Sequence, residues 1–437
     1  VQSTLRNGEG PRNTGAILKR MVNNRFGKAL GAWTQRNFAW YMSGAAVSLF
    51  GMWAQRIAVG WLTWELTNSE LWLGLIAFAD LFPTVVITPI AGAIADRTNR
   101  LWMARISQFL AGCQAFVLAW MAFNGHLSEA EDVWWLLALS LFLGVVMAFA
   151  TAARLSMVPL LMRPEFVPSA VANDAVIFNS ARVVGPMLAA WIIATWDAGT
   201  AFFINGCVFM VFVFCLMIVR LLREESQKTR GGNVISQTVD GVRAAAQHPG
   251  IGPLLIVLSA VAVGVKSFFD LLPAVADEIF GAGVDGFAQL AASGGAGAVI
   301  CAIWLAVRGR LEGLTALTLV SMIIGGLGLV VMCLTNYLWL GLIGAFFAGA
   351  AVTLSGTGTQ TLMQNAVEGH LRGRVMAIYG MLHRGGPALG ALAMGAAAEI
   401  IGAKYAIIGV CIFVCLPVLA WSWPKREKMA KSLEMTR

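Results

Sequence analysis

Apolar positions dominate this chain in long unbroken runs, and polar positions gather in short segments between them. Twelve runs can be drawn, near residues 37–64, 71–95, 101–124, 133–158, 169–195, 199–222, 251–279, 285–307, 314–334, 336–363, 372–399 and 403–423. A helix rises about 1.5 Å per residue, so a run of about 20 residues covers the roughly 30 Å hydrocarbon core of a bilayer. Backbone groups inside lipid must be satisfied within their own segment, and the pattern therefore predicts an all-α membrane protein with twelve transmembrane helices. The longest internal polar segment, residues 223–250, separates the sixth run from the seventh. Five regions follow: an N-terminal arm (1–36), a first six-helix set (37–222), a connecting loop (223–250), a second six-helix set (251–423) and a tail (424–437).

Composition agrees with the pattern. The chain is 58% hydrophobic and 12% charged, about half the charge of a soluble domain. Charge placement then sets a sidedness, because cytoplasmic loops of membrane proteins are rich in Lys and Arg. Of 31 Lys and Arg, Lys404 falls on one side, Arg56, Arg182, Lys266 and Arg384 fall within the runs, and the other 26 fall on or near the opposite side. Glu65, Glu70, Glu129, Glu131, Asp132, Asp277, Glu278 and Asp285 occupy the side that is poor in cations. Both termini are thus expected in the cytoplasm. The net charge of +8 is accounted for by topology, and nothing else suggests nucleic acid as a partner.

The basic arm (Arg6, Arg12, Lys19, Arg20, Arg25, Lys28, Arg36) has no signal-peptide core; it reads as a topogenic tail or as a segment held against anionic lipid. Within the connecting loop, Val234 to Gln247 has the spacing of a short amphipathic surface helix. The seven cysteines (113, 207, 215, 301, 333, 411, 415) lie in apolar runs with no metal-ligand spacing, and read as small core residues. Trp40, Trp64, Trp72, Trp134, Trp135, Trp421 and Trp423 fall near the expected interfaces and read as anchors. Trp53 and Trp61 lie deeper.

One device occurs twice. Residues 180–190 read SARVVGPMLAA and residues 382–392 read LHRGGPALGAL, each placing Arg, Gly and Pro together inside an apolar run. Gly185 with Pro186, and Gly386 with Pro387, would bend their helices and admit a close neighbour. The two copies are about 200 residues apart, in the fifth and eleventh runs. Two six-helix repeats would put them in equivalent places.

The segment GAIADRTNR, residues 92–100, connects the second and third runs. It resembles the signature loop of the major facilitator superfamily, with Gly92, Asp96, Arg97 and Arg100 in matching positions. Asn99 replaces the turn glycine, and Asn tolerates the left-handed backbone that a glycine there would adopt. The Gly185–Pro186 pair resembles the fifth-helix motif common in that superfamily's antiporters and exporters. SLFGMWAQRIAVGWLTWELTNSELWLGL (48–75), LFPTVVITPIAGAIADR, ARVVGP, the RGR at 372–374 and GPALG are similar to the branch of enterobactin exporters and macrolide-efflux proteins. The resemblance implies two pseudo-symmetric six-helix bundles, and multi-pass placement in the plasma membrane, a bacterial inner membrane. It also implies transport, with efflux or antiport as the expected mode, rather than catalysis. Asp96 and Arg97 would form a gating latch with Arg372 and Arg374 at the start of the eleventh helix. No cofactor and no metal are expected; the expected partners are a small-molecule substrate, protons and the bilayer, and the protein is expected to act as a monomer.

Charges inside the spans are the candidate site. A charged side chain at mid-bilayer costs about 2.5–3.5 kcal/mol on insertion scales, so such residues should face the bundle interior or pair. Arg56 and Asp80 lie at similar depths on neighbouring helices, and form either a static bridge or a proton-responsive pair. Lys266 and Asp270, four residues apart, share a helix face and can neutralise each other or serve coupling, with Pro273 nearby as a possible bend. Arg182 and Arg384 have no acidic residue within one turn, while Asp174 lies two turns below Arg182. They would attract an anionic group or donate to carbonyls exposed at the Gly-Pro bends. His383 adjoins Arg384 and is either structural or a proton carrier. Together the expected substrate or proton pathway is Arg56, Asp80, Arg182, Lys266, Asp270 and Arg384. Runs such as SGGAGAV and IIGGLGL lack the Lys and Ser/Thr of a phosphate loop and read as helix-packing surfaces. Three functions remain open from the residues: a proton-coupled exporter of an amphipathic or anionic small molecule, a lysophospholipid translocase of the same fold, and a transport-inactive receptor or scaffold.

Overall fold

The computed structural model describes residues 31–95, 97–157, 160–163, 166–221, 242–243, 245–367 and 369–434. Some helical side chains lie outside that description, those of Arg182, Pro186 and Arg372 among them. The N-terminal arm up to residue 30, Asp96, and the expected amphipathic segment as far as residue 241 also lie outside the described residues.

Every regular element among the described residues is helical. The first bundle comprises α1 (Arg36–Thr67), α2 (Glu70–Ala95), α3 (Arg100–Phe123), α4 (Val133–Met157), α5 (Val167–Thr195) and α6 (Ala198–Ile218). The second comprises α7 (251–279), α8 (Gly283–Arg308), α9 (Leu314–Leu334), α10 (Leu338–Ala366), α11 (Gly369–Ile401) and α12 (403–422). Nine of these segments among the described residues are long and apolar enough to cross a membrane. Helix bounds agree with the apolar runs to within a few residues at most ends. Connections within each bundle are short, so consecutive helices there run antiparallel. Loops and helix ends at one side carry Arg97, Arg100, Arg308 and Arg310; those at the other carry Glu65, Glu129, Glu131, Asp277 and Glu278. These are called the basic and acidic ends below.

Local chemistry explains the helix ends. Asn68 takes a left-handed conformation (φ 44°, ψ 38°), closing α1 with its N–H on the Trp64 carbonyl. Asp197 caps α6 by accepting from the Thr200 N–H at 2.6 Å. Asn99 corrects the expectation of a left-handed turn: its backbone is extended (φ −68°, ψ 111°), and its side chain accepts from the Trp102 N–H at 3.0 Å. An Asn at this position starts the next helix by capping, with no need for glycine's conformational freedom.

Small residues set the packing, and they do so twice. A Cβ on Gly185 of α5 would lie 2.5 Å from the Trp53 Cβ of α1, and one on Gly386 of α11 would lie 2.7 Å from the Ala262 Cβ of α7. Likewise Gly144 of α4 abuts the carbonyls of Ala79 and Asp80 on α2, as Gly349 of α10 abuts Gly294 on α8. Equivalent helices of the two bundles thus meet through equivalent glycines, which is the physical form of the repeat read from Arg-Gly-Pro. Gly297 and Gly328, in the glycine-rich runs, also pack against neighbouring backbone.

Three expectations change. The tail is a docked helix, Arg426–Leu433, with Met429 and Leu433 fully buried. Its Glu434 carboxylate accepts from the N–H groups of Gly313 (2.7 Å) and Thr315 (2.8 Å), capping α9. Trp64 is 3% exposed and is no interface anchor. Cys207 is exposed rather than in the core, although all seven cysteines are free as expected.

Candidate functional site

The centre of the molecule holds one cation between two carboxylates from different bundles. Arg56 Nη2 donates to Asp270 Oδ1 at 2.9 Å, and Arg56 Nη1 lies 3.6 Å from Asp80 Oδ2. Arg56 stands eleven residues from the acidic end of α1, and Asp80 ten residues into α2. Both are therefore roughly 15 Å below that end, near mid-depth. The expected Arg56–Asp80 pair is present, and Asp270 of α7 completes it from the other side. The guanidinium also lies over the Trp53 ring, 5.8 Å from its centroid.

Neighbouring residues fix Arg56 in place. Gln55 turns the opposite way, into the first bundle, where its Nε2 donates to Gln114 Oε1 at 2.9 Å and its Oε1 accepts from Asn205. All three amides are buried. These two buried hydrogen bonds tie Gln55 to α3 and α6, so α1 cannot rotate to aim Arg56 elsewhere without breaking them. Asp80 is held from behind by Gly144, whose missing side chain lets α4 press on the Asp80 carbonyl.

Lys266 does not settle on Asp270. Its Nζ donates to the His383 carbonyl at 2.8 Å. Proline has no N–H, so Pro387 leaves the carbonyl four residues earlier without its helical partner, and that carbonyl belongs to His383. Donation to a bend carbonyl was one of the two roles open to Arg182 and Arg384; at the α11 bend Lys266 makes that bond. Ser267 Oγ adds a bond to the Pro387 carbonyl at 3.2 Å. α7 is irregular here, passing through a π-helical turn (Ala262–Lys266) and a 3₁₀ turn (Ser267–Asp270) before Pro273. The helix thus loses its regular α geometry just before Pro273, where Asp270 meets Arg56.

Other expected residues are spread wider. Asp174 pairs with Arg154 at 3.1 Å, and the side chain of Arg182 lies outside the described residues. Arg384 is exposed, and Arg154 and Tyr379 are its electrostatic neighbours. His383 stacks on Tyr379 with ring centroids 5.4 Å apart. In the signature loop, Gly92 has open space around it, Arg100 Nε donates to the Ala95 carbonyl at 3.4 Å, and Arg374 is half-buried. The latch itself needs Asp96 and Arg372, whose side chains are not described.

Sequence reasoning missed a second set of contacts between the bundles, at the acidic end. Trp64 Nε1 donates to Asp277 Oδ2 at 3.1 Å, while Glu399 Oε2 accepts from Ser69 Oγ at 2.7 Å and from the Leu71 N–H at 3.2 Å. Glu399 thereby caps the first turn of α2 from the other bundle. Just below, Gly74 packs on the Ala391 carbonyl of α11, and Trp61 stacks on Phe287 of α8 at 5.8 Å. In α2, Leu73 and Ile76 are buried near this end, whereas Val86, Ile90 and Ile94 are exposed toward the basic end. The only advance signal was a pair of glycines, Gly74 and Gly395, in helices far apart in sequence.

Comparison with known proteins gives this geometry its context. The profile of the transmembrane secretion effector family matches residues 28–435, nearly the whole chain. The chain belongs to that family. Transmembrane secretion effectors fall within the major facilitator superfamily, and this protein is a multi-pass membrane transporter of that type. It is 24% identical over 403 residues to the staphyloferrin A transporter of Staphylococcus aureus, covering 89% of this chain and 97% of the relative. It is 23% identical over 216 residues to macrolide efflux protein A of Streptococcus pyogenes, 49% of this chain and 52% of that one. Among solved structures, the fold matches an inward-facing, occupied bacterial homologue of the human lysosomal transporter Spinster. That match has a TM-score of 0.69 at 13% identity, over 91% of this chain and 98% of the other. The secretion-effector fold is thus the twelve-helix facilitator fold, with the Arg56 cluster where the two bundles meet.

Proposed function

We propose that this protein is a proton-coupled exporter that moves an amphipathic or anionic small molecule out of the cytoplasm by alternating access. The observation that carries the reading is the position of Arg56 between Asp80 of the first bundle and Asp270 of the second. A cation shared by two carboxylates is held tightly only while both are ionised. Proton uptake by one weakens its hold, and because the carboxylates belong to different bundles, the change acts directly on the contact between them.

The basic end is the cytoplasmic end, by the Lys and Arg distribution. In that orientation the Trp64–Asp277 and Glu399–Ser69 bonds close the outer side, and the conformation faces inward. The efflux and transport roles of the macrolide and staphyloferrin A relatives support the export reading. The bundles then rock about the mid-depth cluster.

The test is transport of staphyloferrin A and of erythromycin into inside-out proteoliposomes of the full chain. An imposed pH gradient, acidic inside, should drive accumulation of at least one cargo, and dissipating the gradient should abolish it. Accumulation indifferent to the gradient overturns proton coupling; transport of neither cargo removes the present basis for the substrate class.

A further inference from the structure

α12 leaves the bilayer beside a row of lysines. It packs against α7, α9 and α11 of its own bundle, so its exposed side chains Ile412, Phe413, Leu416 and Trp421 look outward to lipid. Trp421 is the last of them, and the Lys425 ammonium lies over its ring, 3.3 Å from the centroid. That cation is therefore held at the level where the apolar surface ends. Residues 425–431 carry four cations and one carboxylate, Glu427. Glu427 lies 3.7 Å from Arg426, whose Nη1 also donates to the Trp423 carbonyl. Lys428 and Lys431 are exposed and hold no bond among the described residues.

Lys425, Lys428 and Lys431 follow one another at intervals of three, which sets neighbouring members on adjoining parts of one helix side. The first stands beside the lipid-facing Trp421, so the row leads from there along the bilayer surface. The tail helix that carries it is a strap. Met429 and Leu433 bury it against the second bundle, the Leu433 carbonyl accepts from Asn365 Nδ2 of α10 at 3.0 Å, and Glu434 caps α9. Gly250, just before α7, has no room for a Cβ beside Ser432 and Leu433. Eight residues are too few for a helix to stand alone in water. The tail helix therefore persists only while docked, and whatever holds it also holds the basic ends of α7, α9 and α10 together.

We propose that this lysine row binds the headgroup phosphates of anionic phospholipid, and that the bound lipid clamps the tail helix across the basic end of the second bundle. The match is one of charge and place. An ammonium is a compact point charge that takes a phosphate oxygen from many directions, so ammonium groups spaced along the surface suit a layer of neighbouring headgroups and need no cavity. A zwitterionic headgroup brings its own cation and offers no net attraction. The site is separate from the Arg56 cluster, and it stands whatever the cargo or the coupling ion.

Hydrogen exchange of the full chain in nanodiscs tests it, comparing phosphatidylcholine alone with phosphatidylcholine mixed with phosphatidylglycerol. Phosphatidylglycerol should slow exchange in the tail helix, and in the peptide containing the Gly313 and Thr315 amides that Glu434 caps, by about tenfold. Added salt should shrink the effect. Lys428→Gln combined with Lys431→Gln should remove most of this difference between lipids, and the corresponding Arg pair should keep it. Arg220→Gln, beyond the end of α6 in the first bundle, should behave as wild type. Because the difference between lipids is what is read, a tail that the substitutions merely loosen in both lipids does not imitate loss of the site. No difference between lipids in wild type, or an equal difference in the double Gln variant, overturns the proposal. So does equal protection by soluble glycerol phosphate in phosphatidylcholine alone, because the row would then be taking a free phosphate.

Discussion

Lys266 Nζ sits 2.8 Å from the carbonyl oxygen of His383, the oxygen that Pro387 leaves without a helical N–H. A bend in α11 and a cation in α7 are therefore one feature. Lys266→Met should destabilise the protein by about 1–3 kcal/mol, the cost of leaving a part-buried carbonyl unpaired. In a Pro387→Ala background the restored N–H can take over that carbonyl, and the same substitution should cost much less. Thermal unfolding of the two single variants and the double variant measures the coupling; additive effects would show that Lys266 is held by something else.

Arg56 contacts Asp270 more closely than Asp80, and only the Asp270 contact crosses between bundles. Asp270→Asn should therefore loosen the bundles, while Asp80→Asn should not. With part of the pair exposed, the loss is on the order of 1–2 kcal/mol, enough to shift the balance of conformations about tenfold. Spin labels at the exposed positions 68 and 285, with Cys207 replaced by Ser, should show a longer and broader distance distribution in Asp270→Asn alone.

The acidic end closes on acceptors supplied by one bundle and donors supplied by the other. Glu399→Gln weakens two charge-assisted bonds at once, and Trp64→Phe removes one. At about 1 kcal/mol or more each, the combined variant should populate an open acidic end in the same spin-label experiment. An unchanged distribution would mean that apolar packing, such as Trp61 on Phe287, closes this end by itself.

Two glycines separate packing from gating. A Cβ on Gly74 would lie 2.5 Å from the Ala391 carbonyl, whereas a Cβ on Gly92 meets nothing within 4 Å. Gly74→Ala should cost about 1–3 kcal/mol by overpacking and disfavour closure of the acidic end. Gly92→Ala should leave the melting temperature unchanged. A loss of transport without loss of stability in Gly92→Ala would place its role in motion rather than in this conformation.

Periodicity and charge made the twelve helices legible, because backbone satisfaction in lipid leaves few alternatives. The Arg56–Asp80 pair was legible too, since counting residues from helix ends gives depth. What could not be read was which charges meet across the bundles. Lys266 and Asp270 share a face of one helix, but the geometry that separates them depends on a carbonyl orphaned 117 residues away. Arg154 and Asp174 sit near predicted helix ends, and nothing in their spacing marks them as a pair. The Gln55, Gln114 and Asn205 network was equally hidden, because single amides in apolar runs carry no periodic signal. Docking of the tail depended on Met429 and Leu433, too few apolar residues to stand out in a charged segment.

The central claim is that a proton taken up at the Asp80–Arg56–Asp270 cluster releases Arg56 from one carboxylate. Infrared difference spectroscopy of the purified protein, stepped through pH, observes this directly in the carbonyl stretch of a protonated carboxylic acid. The account expects a band that appears reversibly as pH falls, shifts in Arg56→Gln, and disappears in either Asp80→Asn or Asp270→Asn. A spectrum with no such band, or one unchanged in both aspartate variants, would contradict it.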